Sequence, residues 1–218
     1  MRRPTALMGR PAALMRRPSA WLALLLLPWL LAPASPGTVR GVVKVGIEGV
    51  DLASVGPVVV YLDAADGERL DFSLPARRPR ILQRDARFAP GFLVVSAGQT
   101  VEMPNEDGIF HNVFSYSRPN DFDLGLYASG ESRQVTLRHP GLVRLYCSIH
   151  ESMNGAIYVA PSPWFALTGA GGRFEIRGVP PGRYRLRTWA ERLPASSRSV
   201  SLEEGATLEL ALDLGGAS

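Results

Sequence analysis

Short β-branched runs separated by glycine and proline set the texture of this chain. Residues 39–47 (Val-Arg-Gly-Val-Val-Lys-Val-Gly-Ile) and 57–62 (Pro-Val-Val-Val-Tyr-Leu) predict two strands. Residues 63–80 are polar and hold Pro75, Pro79 and the basic trio Arg77, Arg78 and Arg80, which predicts an exposed connection. Strand-like runs resume at 80–88, 92–96 and 100–103, with Gly98-Gln99 as the turn between the last two. Two more, 133–137 and 142–146, flank His139-Pro140-Gly141, and 156–160 closes the series. No segment keeps apolar positions at helical spacing beyond two turns, so the fold class is all-β.

Pro161-Ser162-Pro163 marks a change of texture. Beyond it, strands are predicted at 173–177, 183–189, 198–202 and 206–214. In Arg183-Tyr184-Arg185-Leu186-Arg187 the alternation puts three arginines on one face and the apolar pair on the other. That face reads as solvated; a docking patch for an acidic partner is the sharper alternative. Trp164 and Phe165 are expected to form an apolar seam between an N-terminal unit, 37–160, and a C-terminal unit, 161–214. The second is small for an independent core and is expected to lean on the first.

Composition matters mainly through where the charge lies. Five of the 24 basic side chains (Arg2, Arg3, Arg10, Arg16 and Arg17) precede residue 35, and no acid does. The remainder carries 19 basic against 20 acidic groups, so the formal charge of +4 belongs to the leader. Nucleic-acid binding therefore loses its usual electrostatic support. Residues 1–34 read as a signal peptide: a basic stretch, twelve apolar residues from Ala20 to Leu31, then Ala32-Pro33-Ala34 as a cleavage signal. Twelve residues interrupted by Pro28 fall short of the ~20 that span a bilayer, so no stable membrane span is expected after cleavage. The repeat of Met1-Arg-Arg-Pro at Met15 favours a start at Met15. The expected location is the periplasm or another exported compartment.

An exported chain with one cysteine, Cys147, has no internal disulfide to make. Its neighbours carry the chemistry: Cys147-Ser-Ile-His150-Glu-Ser-Met153 sets a thiol, an imidazole and a thioether three residues apart on one loop. His111, in Asn105-Glu-Asp-Gly-Ile-Phe-His111-Asn112, offers a second imidazole from elsewhere. Two imidazoles, a thiolate and a weak thioether are the donor set of a blue-copper centre. Zinc sites seldom use a thioether, so copper is the expected metal. Singly each residue has a plainer use, with Cys147 or Met153 as core packing and His111 as a buried, satisfied histidine. Jointly those plain uses leave the spacing unexplained. His139 lies about 16 Å of strand away from Cys147, at the far end of 142–146, and stays outside the set. Asp121, Asp123 and Glu131 have no partnered nucleophile, and no glycine loop precedes a helix to cradle phosphate.

These stretches resemble a known family. Residues 105–114 resemble the histidine loop of plastocyanin, and 140–153 resemble the ligand-bearing end of the cupredoxins; the Cys-x2-His-x2-Met spacing is similar to amicyanin's. Phe122-Asp-Leu-Gly-Leu-Tyr127, together with Pro-Pro-Gly before a Tyr/Leu/Trp strand in the tail, resembles bacterial exported proteins labelled methylamine utilisation proteins. The resemblance implies a cupredoxin Greek-key sandwich followed by a small prealbumin-like, carboxypeptidase-regulatory-like sandwich. It implies one type 1 copper, with His111, Cys147 and His150 equatorial and Met153 axial. Asn112 would support Cys147 and pin two loops together. Two departures stand out: Phe110 replaces plastocyanin's proline, and Glu151 sits between His150 and Met153. An oxygen from Glu151 or Glu106 near the metal would alter the site.

The implied function is single-electron transfer between exported redox proteins, with donor and acceptor unspecified and no substrate pocket to suggest an enzyme. A copper carrier or store would use the same ligands. A structural or adhesive module with a degenerate site is the remaining alternative.

Overall fold

The computed structural model describes residues 34–65 and 68–215; the expected signal peptide, 1–34, lies almost wholly outside them. In chain order the strands are β1 (Gly37–Val45), β2 (Val58–Ala64), β3 (Leu82–Arg84), β4 (Arg87–Ala89), β5 (Phe92–Ser96) and β6 (Thr100–Pro104). They continue with β7 (His111–Ser115), β8 (Phe122–Tyr127), β9 (Ser132–Thr136), β10 (Gly141–Tyr146) and β11 (Asn154–Ala160). The chain ends with β12 (Phe165–Leu167), β13 (Arg173–Val179), β14 (Gly182–Ala190), β15 (Ser197–Leu202) and β16 (Thr207–Leu214). One four-residue helical turn, Leu52–Val55, is the only α-helix among the described residues, and none of their helices is long and apolar enough to cross a membrane.

Two sandwiches emerge, and one is inserted into the other. The outer sandwich pairs a sheet ordered β13-β1-β16 with a second ordered β12-β2-β14-β15. Its core holds Val39, Val43, Val58, Val60, Leu62, Trp164, Ile176, Tyr184, Leu186 and Leu214. The inner sandwich carries the sheet β5-β11-β10-β7-β8 and the pairs β6-β9 and β3-β4, around Val101, Met103, Val113, Leu137, Val143, Leu145 and Ile157. The expected division at 161 is therefore corrected. β1 runs parallel to β16, Thr38 beside Thr207, and β2 runs antiparallel to β14, Leu62 beside Leu186. Residues 37–64 thus belong with the C-terminal strands. The chain leaves β2, builds the inner sandwich, and returns at β12 to pair Phe165 with Tyr61.

The same period of two that makes a strand amphipathic explains how the sandwiches meet. β2 sends Val58, Val60 and Leu62 into the outer core and Val59 and Tyr61 to its other face. β11 sends Ile157 and Val159 into the inner core and Tyr158 and Ala160 outward. These outward faces form a third apolar cluster with Phe92, Phe165 and Trp189. Within it Trp189 stacks on Tyr158, with ring centroids 4.5 Å apart, and on Phe92 at 5.9 Å. Phe165 thus lies in the seam as expected. Trp164 does not: it packs in the outer core and its indole N–H donates to the Gly178 carbonyl at 3.0 Å.

Two local expectations also change. Residues 80–88 are not one strand but lead into the β3–β4 hairpin, which turns at Asp85 and Ala86 with φ of 55° and 50°. β7 and β12 lack a clear alternating signature and are held by their neighbours. The tail arginines do alternate with buried Tyr184 and Leu186, but Arg183 pairs with Glu68 at 3.1 Å and Arg187 with Asp63 at 3.2 Å. Arg183 and Arg187 on that face are therefore ion-paired, with side chains that stay 76% and 42% exposed.

Candidate metal centre

β7 and β10 are antiparallel neighbours, with Phe114 opposite Tyr146. His111 opens β7 and Cys147 follows β10, so this pairing delivers both to the same end of the five-stranded sheet. The loop from Cys147 to Met153 then closes on itself. The Cys147 amide donates to the Met153 carbonyl at 3.2 Å, and the Met153 amide to the His150 carbonyl at 2.9 Å. Such a tight loop returns His150 towards Cys147.

The result is a cluster of three donor atoms. Cys147 Sγ lies 3.8 Å from His111 Nδ1 and 4.0 Å from His150 Nδ1, and all three atoms fall within 4.8 Å of one another. The imidazole rings meet edge to face at 4.9 Å. A metal about 2.3 Å from sulfur and about 2.0–2.1 Å from nitrogen, at an angle of about 120°, sets the two ligand atoms about 3.8 Å apart. The donor set therefore fits a metal ion without rearrangement. His111 is fully buried, Cys147 is 6% exposed and His150 is half-buried. Met153, 1% exposed, belongs to the same apolar cluster as Cys147.

Side chains around the donors fix the loops. Asn112 Oδ1 accepts from the Ser148 amide at 2.8 Å and from the Ser148 hydroxyl at 2.9 Å, tying β7 to the cysteine loop. Asn105, fully buried, donates to the Ile109 carbonyl at 2.8 Å and the Tyr127 carbonyl at 3.2 Å, and accepts from the Asp107 amide at 3.0 Å. It shapes the loop that enters β7.

One functional residue was not singled out from the sequence. Asp107 Oδ2 sits 2.7 Å from His111 Nε2, on the ring edge opposite the cluster. Burial works to raise the Asp107 carboxyl, but hydrogen bonds from the Ala86 amide, the His111 ring and the Asp85 amide hold it below the ordinary carboxylate range. An ionised carboxylate only accepts, so in a neutral His111 ring Nε2 carries the hydrogen and Nδ1 presents its lone pair to the cluster. The available signal was an acid four residues before a histidine on a short loop. The two acids that were singled out are absent from the donor group: Glu106 pairs with Arg84, and Glu151 is exposed. His139 also stays apart; its carbonyl and amide bond the Asn120 side chain.

No protein-family model matches the chain. The chloroplastic plastocyanin of Fritillaria agrestis is 36% identical over 85 residues, 33% of this chain and 51% of that protein. The chain thus spans about half the length of the curated relative it matches. Among solved structures, a purple cupredoxin from Nitrosopumilus maritimus overlaps 38% of this chain and 99% of its own, with 21% identity and a TM-score of 0.35. A variant of amicyanin in its reduced state overlaps 39% of this chain and 85% of its own, with 19% identity and a TM-score of 0.36.

Proposed function

We propose that this chain is an exported type 1 copper protein that passes single electrons between redox proteins. His111, Cys147 and His150 are its equatorial ligands and Met153 its weak axial one. The observation that carries this reading is the convergence of one thiol sulfur and two imidazole nitrogens within 4.8 Å at the end of a rigid sheet. The identity with plastocyanin over 85 residues supports it.

Copper, when bound, supplies a one-electron couple between Cu(I) and Cu(II), with thiolate and thioether favouring the first state and imidazole accepting both. The chain's own residues supply rigidity. Asn112 clamps the two loops through Ser148, and the buried positions of His111, Cys147 and Met153 keep water away. Donors held in one arrangement need little reorganisation when charge changes, which speeds transfer. His150 is the half-buried ligand, and Ile149 beside it and Phe110 beside His111 are exposed. That apolar rim suits brief contact with a partner protein.

The deciding experiment is an optical and paramagnetic-resonance spectrum of the purified protein loaded with Cu(II). The expected result is an intense visible sulfur-to-copper charge-transfer band that disappears in Cys147→Ser. A colourless protein that takes up one zinc in preference to copper would overturn the proposal.

A further inference from the structure

The β3–β4 hairpin reaches the metal centre through a single carboxylate. Asp85 and Ala86 form its turn, and they are the only non-glycine residues with positive φ among the described residues. A left-handed conformation is unfavourable for an alanine, so something must offset it. Both turn amides point at Asp107: the Asp85 N–H donates to Oδ1 at 2.6 Å and the Ala86 N–H to Oδ2 at 2.9 Å. The Oδ2 atom also takes the His111 Nε2 hydrogen at 2.7 Å. Three donors from two elements distant in sequence thus share one carboxylate, whose side chain is 12% exposed.

We propose that Asp107 is the positioning residue of the metal centre, anchored by the β3–β4 turn and committing His111 to present Nδ1 to the metal. This rests on the copper reading above for its consequence, but its geometry stands without metal. A neutral imidazole in water divides its hydrogen between two nitrogens, and only one arrangement leaves Nδ1 free. The carboxylate selects that arrangement and fixes the ring plane. Its negative charge also makes the imidazole a better donor, which favours Cu(II) over Cu(I) and lowers the reduction potential. Turn, carboxylate and ligand form one hydrogen-bonded chain, so the hairpin acts on a metal it never touches.

The first test uses the metal-free protein. Long-range nitrogen–proton NMR of histidine-labelled protein should place the His111 hydrogen on Nε2; in Asp107→Ala the ring should show both tautomers. An unchanged single tautomer in Asp107→Ala overturns the proposal. The second test measures copper binding: Asp107→Ala should weaken Cu(II) affinity by about 10–100-fold and raise the potential. Arg84→Ala, which cuts the other side-chain link between the same hairpin and loop, should change affinity by less than about two-fold by the same standard. If Asp107→Ala fails to fold, Asp107→Asn replaces it. Its amide group can satisfy fewer of the three donors, so exchange of the Asp85 or Ala86 amide should quicken and affinity fall; no change in either overturns the proposal. A tautomer that responds in a protein that binds no copper would sink the copper reading alone.

Discussion

Ser148 gives both its amide and its hydroxyl hydrogen to one oxygen, Asn112 Oδ1, at 2.8 and 2.9 Å. Asn112 follows His111 and Ser148 follows Cys147, so this contact joins the two loops one residue away from each donor. Asn112→Ala removes both bonds, but Ser148 is exposed and water can take its donors, so the cost should be about 0.5–1.5 kcal/mol. Chemical denaturation of the metal-free protein reads that loss directly. Copper release should also quicken, and a variant with wild-type stability and wild-type release would show that the link is decorative.

Met153 is a core residue by burial and an axial ligand by proposal, and two substitutions separate the roles. Met153→Leu conserves volume and should alter stability by less than about 1.5 kcal/mol. It removes the sulfur, however, so the potential and the visible spectrum should shift while copper remains bound. Met153→Ala should cost about 2–5 kcal/mol in either case. A Leu variant spectrally identical to wild type would remove Met153 from the ligand set.

The nested architecture makes its own forecast about fragments. Residues 161–214 alone lack β1 and β2, and with them Val39, Val43, Val58, Val60 and Leu62 of the outer core. β14 would lose one neighbour, and β13 and β16 would both lose the strand between them. The fragment should show no cooperative thermal transition by circular dichroism. Cooperative melting of that fragment would mean the tail is a domain in its own right.

Gly41 tests the seating of β1. A Cβ there would stand 1.8 Å from the Leu210 carbonyl oxygen, which is backbone and cannot swing aside. Gly41→Ala should destabilise by about 1–3 kcal/mol or more through the shift it forces between β1 and β16. A melting temperature equal to wild type would show that the two strands are less closely seated.

Alkaline pH should weaken the fold through two buried phenols far from the metal centre. Burial raises Tyr184, and burial followed by the hydrogen bond with Tyr61 raises Tyr158. A phenol with a raised folded value stabilises the fold fully below the unfolded value, about 10, and that contribution is lost as pH rises through the folded value. Melting temperature should therefore fall above about pH 10, and phenolate absorbance of the folded protein should lag behind that of the unfolded chain. Simultaneous titration of all six tyrosines in the folded protein would contradict this.

What was legible in the sequence is what lies close along the chain. The all-β class followed from β-branched runs without helical spacing. β5 fell where predicted because Phe92–Ser96 is a continuous apolar strand bounded by glycines. His111, Cys147 and His150 were picked out by residue type and spacing, and the Cys147–Met153 loop is short enough to bring two of them together unaided. Three things needed the tertiary structure. Period-two alternation shows that β2 has two faces but not which strands cover them, and its partners lie about a hundred residues on, across the inner sandwich. The single run at 80–88 hid a turn, because Asp85 and Ala86 adopt left-handed backbone that alanine disfavours and that Asp107 offsets from another loop. Asp107 itself looked like one more loop acid. Its role arises only when β3–β4 folds over the entrance to β7, because a carboxylate acquires meaning from the donors that reach it, and those come from elsewhere in the chain.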